Sequence, residues 1–197
     1  MRNRFILLSL TTMLVSCLLL AQNMPDSGNK TNFRQENMVE HEIVQKPAIL
    51  IIGIDCRTSN SPEAAPQDIP KLWQRFYRED ILNRIPNKVS SDVIALYCDY
   101  EGDYTKPYTI VIGCQVSSID TIPEAMVAKI IPSSSYAVFR AVGEHPQALI
   151  ETWGTIWQQA DLQRTYINDF ELYGNKFVSG SPQEVEVYVG INSNADE

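Results

Sequence analysis

Apolar positions along this chain of 197 residues fall into short runs and into stripes spaced for helices. Residues 48–54 form a β-branched run and predict a strand. A Ser/Asn/Pro/Ala loop over 58–66 leads to a helix opening at Asp68-Ile69-Pro70, where Asp68 suits a cap and Pro70 the first turn. Leu72, Phe76, Ile81, Leu82 and Ile85 recur at helical spacing, Trp73 and Tyr77 widen the stripe, and Pro86-Asn87 closes it. Strands are predicted at 93–100 and 108–116 around the turn Glu101-Gly102-Asp103, and so short a connection implies an antiparallel hairpin. Two more strands, 126–131 and 136–142, flank Pro132-Ser133-Ser134-Ser135. A helix over 144–160 carries Ala148, Leu149, Thr152, Trp153, Ile156 and Trp157 on one broad face, and strands at 167–173 and 185–191 follow.

The order β-α-β-β therefore occurs twice. Leu96-Tyr97 in the first unit matches Leu172-Tyr173 in the second, and Ile112-Gly113 matches Val189-Gly190 at nearly the same offset. Ahead of the repeats the pattern changes. Residues 22–46 are rich in Asn, Gln, Glu, Ser and Asp with sparse apolar positions, the pattern of a flexible tether. Residues 1–21 have a basic head (Arg2, Arg4), a short apolar body and a small-residue region, the marks of a secretory signal peptide. Leu14-Val15-Ser16-Cys17 resembles the bacterial lipobox, in which the cysteine is lipidated; cleavage after Ala21 and an uncleaved anchor are the alternatives. The expected product is exported, either a lipoprotein of the bacterial envelope held to the membrane at Cys17 or a periplasmic or secreted protein.

Charge narrows the function classes. The formal net charge of −8 becomes two units more negative once Arg2 and Arg4 leave with the signal, and no cluster of Lys and Arg offsets it. A phosphate-binding surface needs the opposite sign, so no nucleic acid is expected as partner. Cys56, Cys98 and Cys114 lie in or beside apolar runs and read as small buried hydrophobes, with one disulfide among them as the alternative. Without a Cys-x-x-Cys spacing, and with only His41 and His145 far apart, neither a metal site nor a cofactor is expected.

The segments Tyr136-Ala137-Val138-Phe139, Gly143, Trp153, Ile156-Trp157, Asp169-Phe170-Glu171-Leu172-Tyr173 and Val185-Glu186-Val187-Tyr188-Val189 together resemble the GyrI-like effector-binding domain. This is the ligand-binding module that follows the DNA-binding part of many AraC-type and MerR-type drug-responsive regulators. Leu96-Tyr97-Cys98-Asp99-Tyr100 and residues 108–113 are similar to its first repeat, and the likeness spans nearly the whole body, 47–197. The resemblance implies an α+β fold in which duplicated β-α-β-β units form a curved antiparallel sheet with two helices and a central groove. It further implies that the groove takes flat, apolar, often cationic small molecules, with the glutamate of the Phe-Glu-x-Tyr strand as the buried charge. The region before the body has no room for a helix-turn-helix, so regulation by direct DNA contact is not expected.

Glu171 is the first candidate. Strand alternation sets Glu171 and Tyr173 on one face and Phe170 and Leu172 on the other. Its equivalent in the first repeat is Ala95, so the duplicated frame carries one acid. Tyr97 and Tyr173 occupy matched positions and are expected to line the groove, with Tyr136, Phe139 and Trp153 as further ligand contacts. A desolvated carboxylate serves two chemistries. It attracts a cation, aided by aromatic walls, or with a raised pKa it acts as a general acid/base. The main reading is an envelope-associated binder of apolar, cationic small molecules. The alternatives are a hydrolase of reactive electrophiles with Glu171 catalytic, and a protein-interaction module presenting the sheet.

Overall fold

The computed structural model describes residues 40–192. The expected signal peptide with Cys17, and the tether up to residue 39, lie outside the described residues. Eight strands, β1 (Glu42–Lys46), β2 (Ile49–Thr58), β3 (Val93–Cys98), β4 (Tyr108–Val116), β5 (Val127–Ile131), β6 (Ser134–Val142), β7 (Asn168–Tyr173) and β8 (Glu184–Ile191), form one sheet in the order β1-β6-β8-β7-β3-β4-β2-β5. All neighbours are antiparallel. The helices are α1 (Ala65–Arg78), α2 (Ile81–Arg84), α3 (Gln147–Gln158) and α4 (Asn175–Ser179), with a 3₁₀ turn at Ala160–Leu162. The fold is thus the expected duplicated α+β sheet.

Topology forces the sheet to curl. β5 and β6 stand six strand positions apart, yet only Pro132 and Ser133 join them. Laid flat, six positions at about 4.8 Å would be roughly 29 Å. Three Cα–Cα steps reach about 11 Å. The β1–β2 link, Pro47-Ala48, crosses the same interval, and the two links touch where Ser133 Oγ donates to the Lys46 carbonyl at 3.0 Å. The sheet therefore bends until its edges meet at one corner. Gly53 and Gly113 pair across β2 and β4 so closely that a Cβ on either would collide with the carbonyl of Ile112 or Ile52, so only glycine permits this approach.

The bend buries both faces. On one, Ile52, Ile54, Ile110 and Ile112 pack against Phe76 of α1, while Phe139 and Val187 pack against Leu149 and Ile156 of α3. The opposite face carries Ile51, Leu96, Val111, Tyr136, Phe170 and Tyr188. Among the described residues no helical side chain joins this second cluster, so the curl of the sheet itself encloses it.

Several boundaries differ from the sequence expectation: the strand expected over 93–100 ends at Cys98, the helix expected over 144–160 spans Gln147–Gln158, and the strand expected from 136 starts at Ser134. Glu42–Lys46, assigned above to the tether, is an edge strand paired with β6, and its Val44 packs against the enclosed face. β2 continues to Thr58 because its register with β4 persists to Tyr108. The helix expected over 68–85 begins earlier, at Ala65, and breaks at Asp80, whose φ of 51° is left-handed, a conformation that aspartate tolerates. Asp68 consequently caps nothing; it sits in the first turn of α1, where its Oδ2 accepts from Thr58 Oγ1 at 3.0 Å. Cys56, Cys98 and Cys114 are free thiols, and Cys98 and Cys114 lie on opposite sheet faces.

Candidate functional site

The two repeats meet along β3 and β7. In that pairing Val93 faces Tyr173, Ala95 faces Glu171 and Tyr97 faces Asp169. Equating Ala95 with Glu171 maps this register onto itself, so the pseudo-two-fold axis passes through the Ala95–Glu171 pair. α1 packs on β2 and β4, and α3 on β6, so the helices cover opposite halves and leave the β3–β7 floor between them. Alternation along β7 aims Asp169, Glu171 and Tyr173 at the helix side, with Phe170 and Leu172 behind. Ala95 matters by its smallness. It is the cross-strand neighbour of Glu171 and adds no side chain beyond a methyl over the floor.

Glu171 is only 2 % exposed. Its Oε1 accepts from Tyr97 Oη at 2.8 Å and from Trp153 Nε1 at 2.6 Å, and its Oε2 accepts from Tyr173 Oη at 2.7 Å. Three donors from β3, α3 and β7 therefore converge on one carboxylate, and among the described residues no Lys, Arg or His pairs with it. Burial raises its pKa above the ordinary carboxylate range; the three hydrogen bonds oppose that rise without cancelling it. Burial, then the carboxylate itself, pushes Tyr97 and Tyr173 well above the usual phenol range, which keeps both as proton donors.

Aromatic rings wall this point. Trp73 of α1 meets Tyr173 edge-on at 5.1 Å and stacks with Tyr77 at 5.8 Å. Tyr173 also meets Phe177 of α4 at 5.0 Å, and on the other side Tyr97 meets Trp153 at 5.5 Å. Tyr97, Trp153 and Tyr173 are partly exposed while the carboxylate below them is buried.

Four sequence candidates, Glu171, Tyr173, Tyr97 and Trp153, are thus brought together. Tyr136 is not. It lies on the enclosed face, 1 % exposed, against Phe170 at 5.3 Å and Tyr188 at 6.2 Å. Phe139 is on the helix side but fully buried beneath α3, with His41 as its ring neighbour at 5.0 Å, so it serves as core. The strand 134–142 is apolar on both faces, so its pattern could not tell inward from outward. Reasoning from sequence missed Asp169, which is fully buried. Its Oδ2 accepts from Tyr100 Oη at 2.8 Å and from Arg164 Nη2 at 2.6 Å, and its Oδ1 accepts from the Gly190 amide at 2.8 Å. Its position two residues before Glu171 on the same face was the available signal. Among the described residues, no three His, Cys, Asp or Glu side chains gather to hold a metal ion.

A duplicated, curled antiparallel sheet with a buried carboxylate under aromatic rings on its axis is the architecture of an effector-binding domain. The chain belongs to the Cass2 family of integron-associated effector binding proteins, whose family model matches residues 42–192. YobU of Bacillus subtilis strain 168, provisionally named a transcriptional regulator, is 31 % identical over 144 residues, covering 71 % of this chain and 89 % of that one. The integron cassette protein VCH_CASS2 of Vibrio cholerae has a similar fold at a TM-score of 0.60 and 28 % identity, over 77 % of this chain and 95 % of that one. SAV2435, solved bound to tetraphenylphosphonium, shares the fold at a TM-score of 0.66 and 19 % identity, over 78 % and 94 %.

Proposed function

We propose that this domain binds a compact apolar cation over the β3–β7 floor, with Glu171 as the counter-charge. One observation carries the reading: a carboxylate 2 % exposed, with three hydrogen-bond donors and no cationic partner among the described residues. Isolating a negative charge in a low-dielectric site is unfavourable unless something positive completes it. A ligand cation would do so and would gain about 0.5–2 kcal/mol per well-placed ring. The tetraphenylphosphonium held by SAV2435 supports this ligand class on the same fold. The basic–apolar pattern of residues 1–21 extends the proposal to a site of action outside the cytoplasm.

The test is thermal unfolding with tetraphenylphosphonium and with neutral triphenylphosphine oxide. A ligand selective for the folded state raises the midpoint. The phosphonium should raise it in the parent and leave Glu171→Gln unmoved, while the oxide moves neither. Equal shifts with both compounds, or a shift surviving Glu171→Gln, would remove the charge from the argument. Recovery of altered compound would favour hydrolysis over binding.

A further inference from the structure

Arg164 sits beside this site without a complete account of its hydrogen bonds. Its side chain is 5 % exposed, and Nη2 pairs with Asp169 Oδ2 at 2.6 Å. Nε and Nη1 are buried and have no acceptor. The guanidinium lies over the rings of Tyr166 at 4.5 Å and Trp153 at 5.8 Å, and Trp153 is the residue that donates to Glu171. Asp169 is already served by Tyr100, Gly190 and Arg164, so it has little left to offer the free nitrogens. Buried donors left unmatched are costly, and native proteins seldom keep them without a use.

We infer that Arg164 is a second polar anchor of the site, taking an oxygen acceptor, best a carboxylate, carried by the same ligand whose cation faces Glu171. This rests on the cation reading above. Asp169 and Glu171 are two residues apart on one strand face, about 7 Å. The ligand class is therefore an apolar cation with an acid or carbonyl a few bonds away. Arg164 sets specificity among cations; Glu171 sets the preference for a cation at all.

Three probes separate these roles by calorimetric titration of the full-length protein: butyltriphenylphosphonium, (4-carboxybutyl)triphenylphosphonium and 5-phenylpentanoate. The carboxylated phosphonium should bind at least about tenfold more tightly than its butyl analogue, the worth of one charge-assisted hydrogen bond. Arg164→Lys keeps a cation beside Asp169, so the fold survives, but it removes the guanidinium donors; the tenfold preference should vanish while affinity for the butyl compound stays. Equal affinities of the two phosphoniums for the parent would overturn the Arg164 inference and leave the cation reading intact. A preference persisting in Arg164→Lys would overturn it as well. Binding of 5-phenylpentanoate alone, lost in Arg164→Lys, would keep Arg164 as an acceptor site and overturn the cation reading. No binding by any probe would overturn both.

Discussion

A carboxylate taken out of water loses hydration that protein dipoles replace only in part. At Glu171 the replacement is two phenols and an indole, all neutral. Two substitutions separate charge from shape. Glu171→Gln removes the charge but keeps an acceptor, and a tyrosine hydroxyl can turn to accept from the new amide. It should leave unfolding free energy within about 1 kcal/mol of the parent near neutral pH. Glu171→Ala strands all three donors and should cost roughly 2–4 kcal/mol, read from denaturant unfolding. The sign of the pH dependence follows from the raised pKa. The folded state holds the Glu171 proton more tightly than the unfolded chain does. Its contribution is present below the unfolded pKa and lost as pH rises through the folded value. The parent should therefore lose stability relative to Glu171→Gln across that window, and a bound cation, which favours the ionised form, should reverse the loss. A difference between the two proteins that does not change with pH would mean that Glu171 does not titrate there.

The elements differ in how openly the sequence displays them. β4 was legible to the residue because 108–116 is almost wholly buried and apolar between polar turns. For Tyr97, Tyr173 and Glu171, duplication matched the two tyrosines and alternation set Glu171 beside Tyr173, but the choice of groove over solvent came from the family resemblance. β1 was not legible, since Glu-Ile-Val-Gln-Lys is a short edge strand in which Val44 packs inward while Ile43 is exposed, and its partner β6 lies some ninety residues away. Arg164 was hidden for a related reason. It comes from an irregular segment with no periodicity, and its partner is set by tertiary structure alone. β1 also shows what the misplaced boundary would cost. A chain beginning at Pro47 loses the ladder to β6, the packing of Val44 on the enclosed face and the contact of His41 with Phe139. It should be about 2 kcal/mol less stable than one beginning at Glu40, a drop of roughly 4–8 °C in midpoint for a domain of this size. Equal midpoints would mean that β1 adds nothing beyond the cost of ordering it.

At the scale of the whole molecule, the two connections that fold the sheet also fix where the described chain enters it. The β1–β2 link and the β5–β6 link meet at one corner, and β1 runs toward that corner from Glu42. The chain therefore enters at the opposite end of that edge strand, where the ring of His41 lies against Phe139. The sequence allows three N-terminal outcomes, and they differ in mass. Lipidation at Cys17 leaves a mature chain starting at that cysteine and carrying acyl chains; cleavage after Ala21 leaves Gln22 as an unmodified start; an uncleaved anchor keeps Met1. Intact mass spectrometry of the protein recovered from a bacterial host reads them directly. The resemblance of Leu14-Val15-Ser16-Cys17 to a lipobox predicts the first product in the membrane fraction, and Cys17→Ser should abolish the acyl mass and shift the protein out of that fraction. Acylation at Cys17 would matter for function, because a domain with a net negative charge is repelled by anionic lipid, whereas the cations it is proposed to bind concentrate there. A tether would hold the acidic site where its ligand accumulates. If the mature chain instead begins at Gln22, that enrichment disappears, and the site must capture its cation from solution with its own affinity alone.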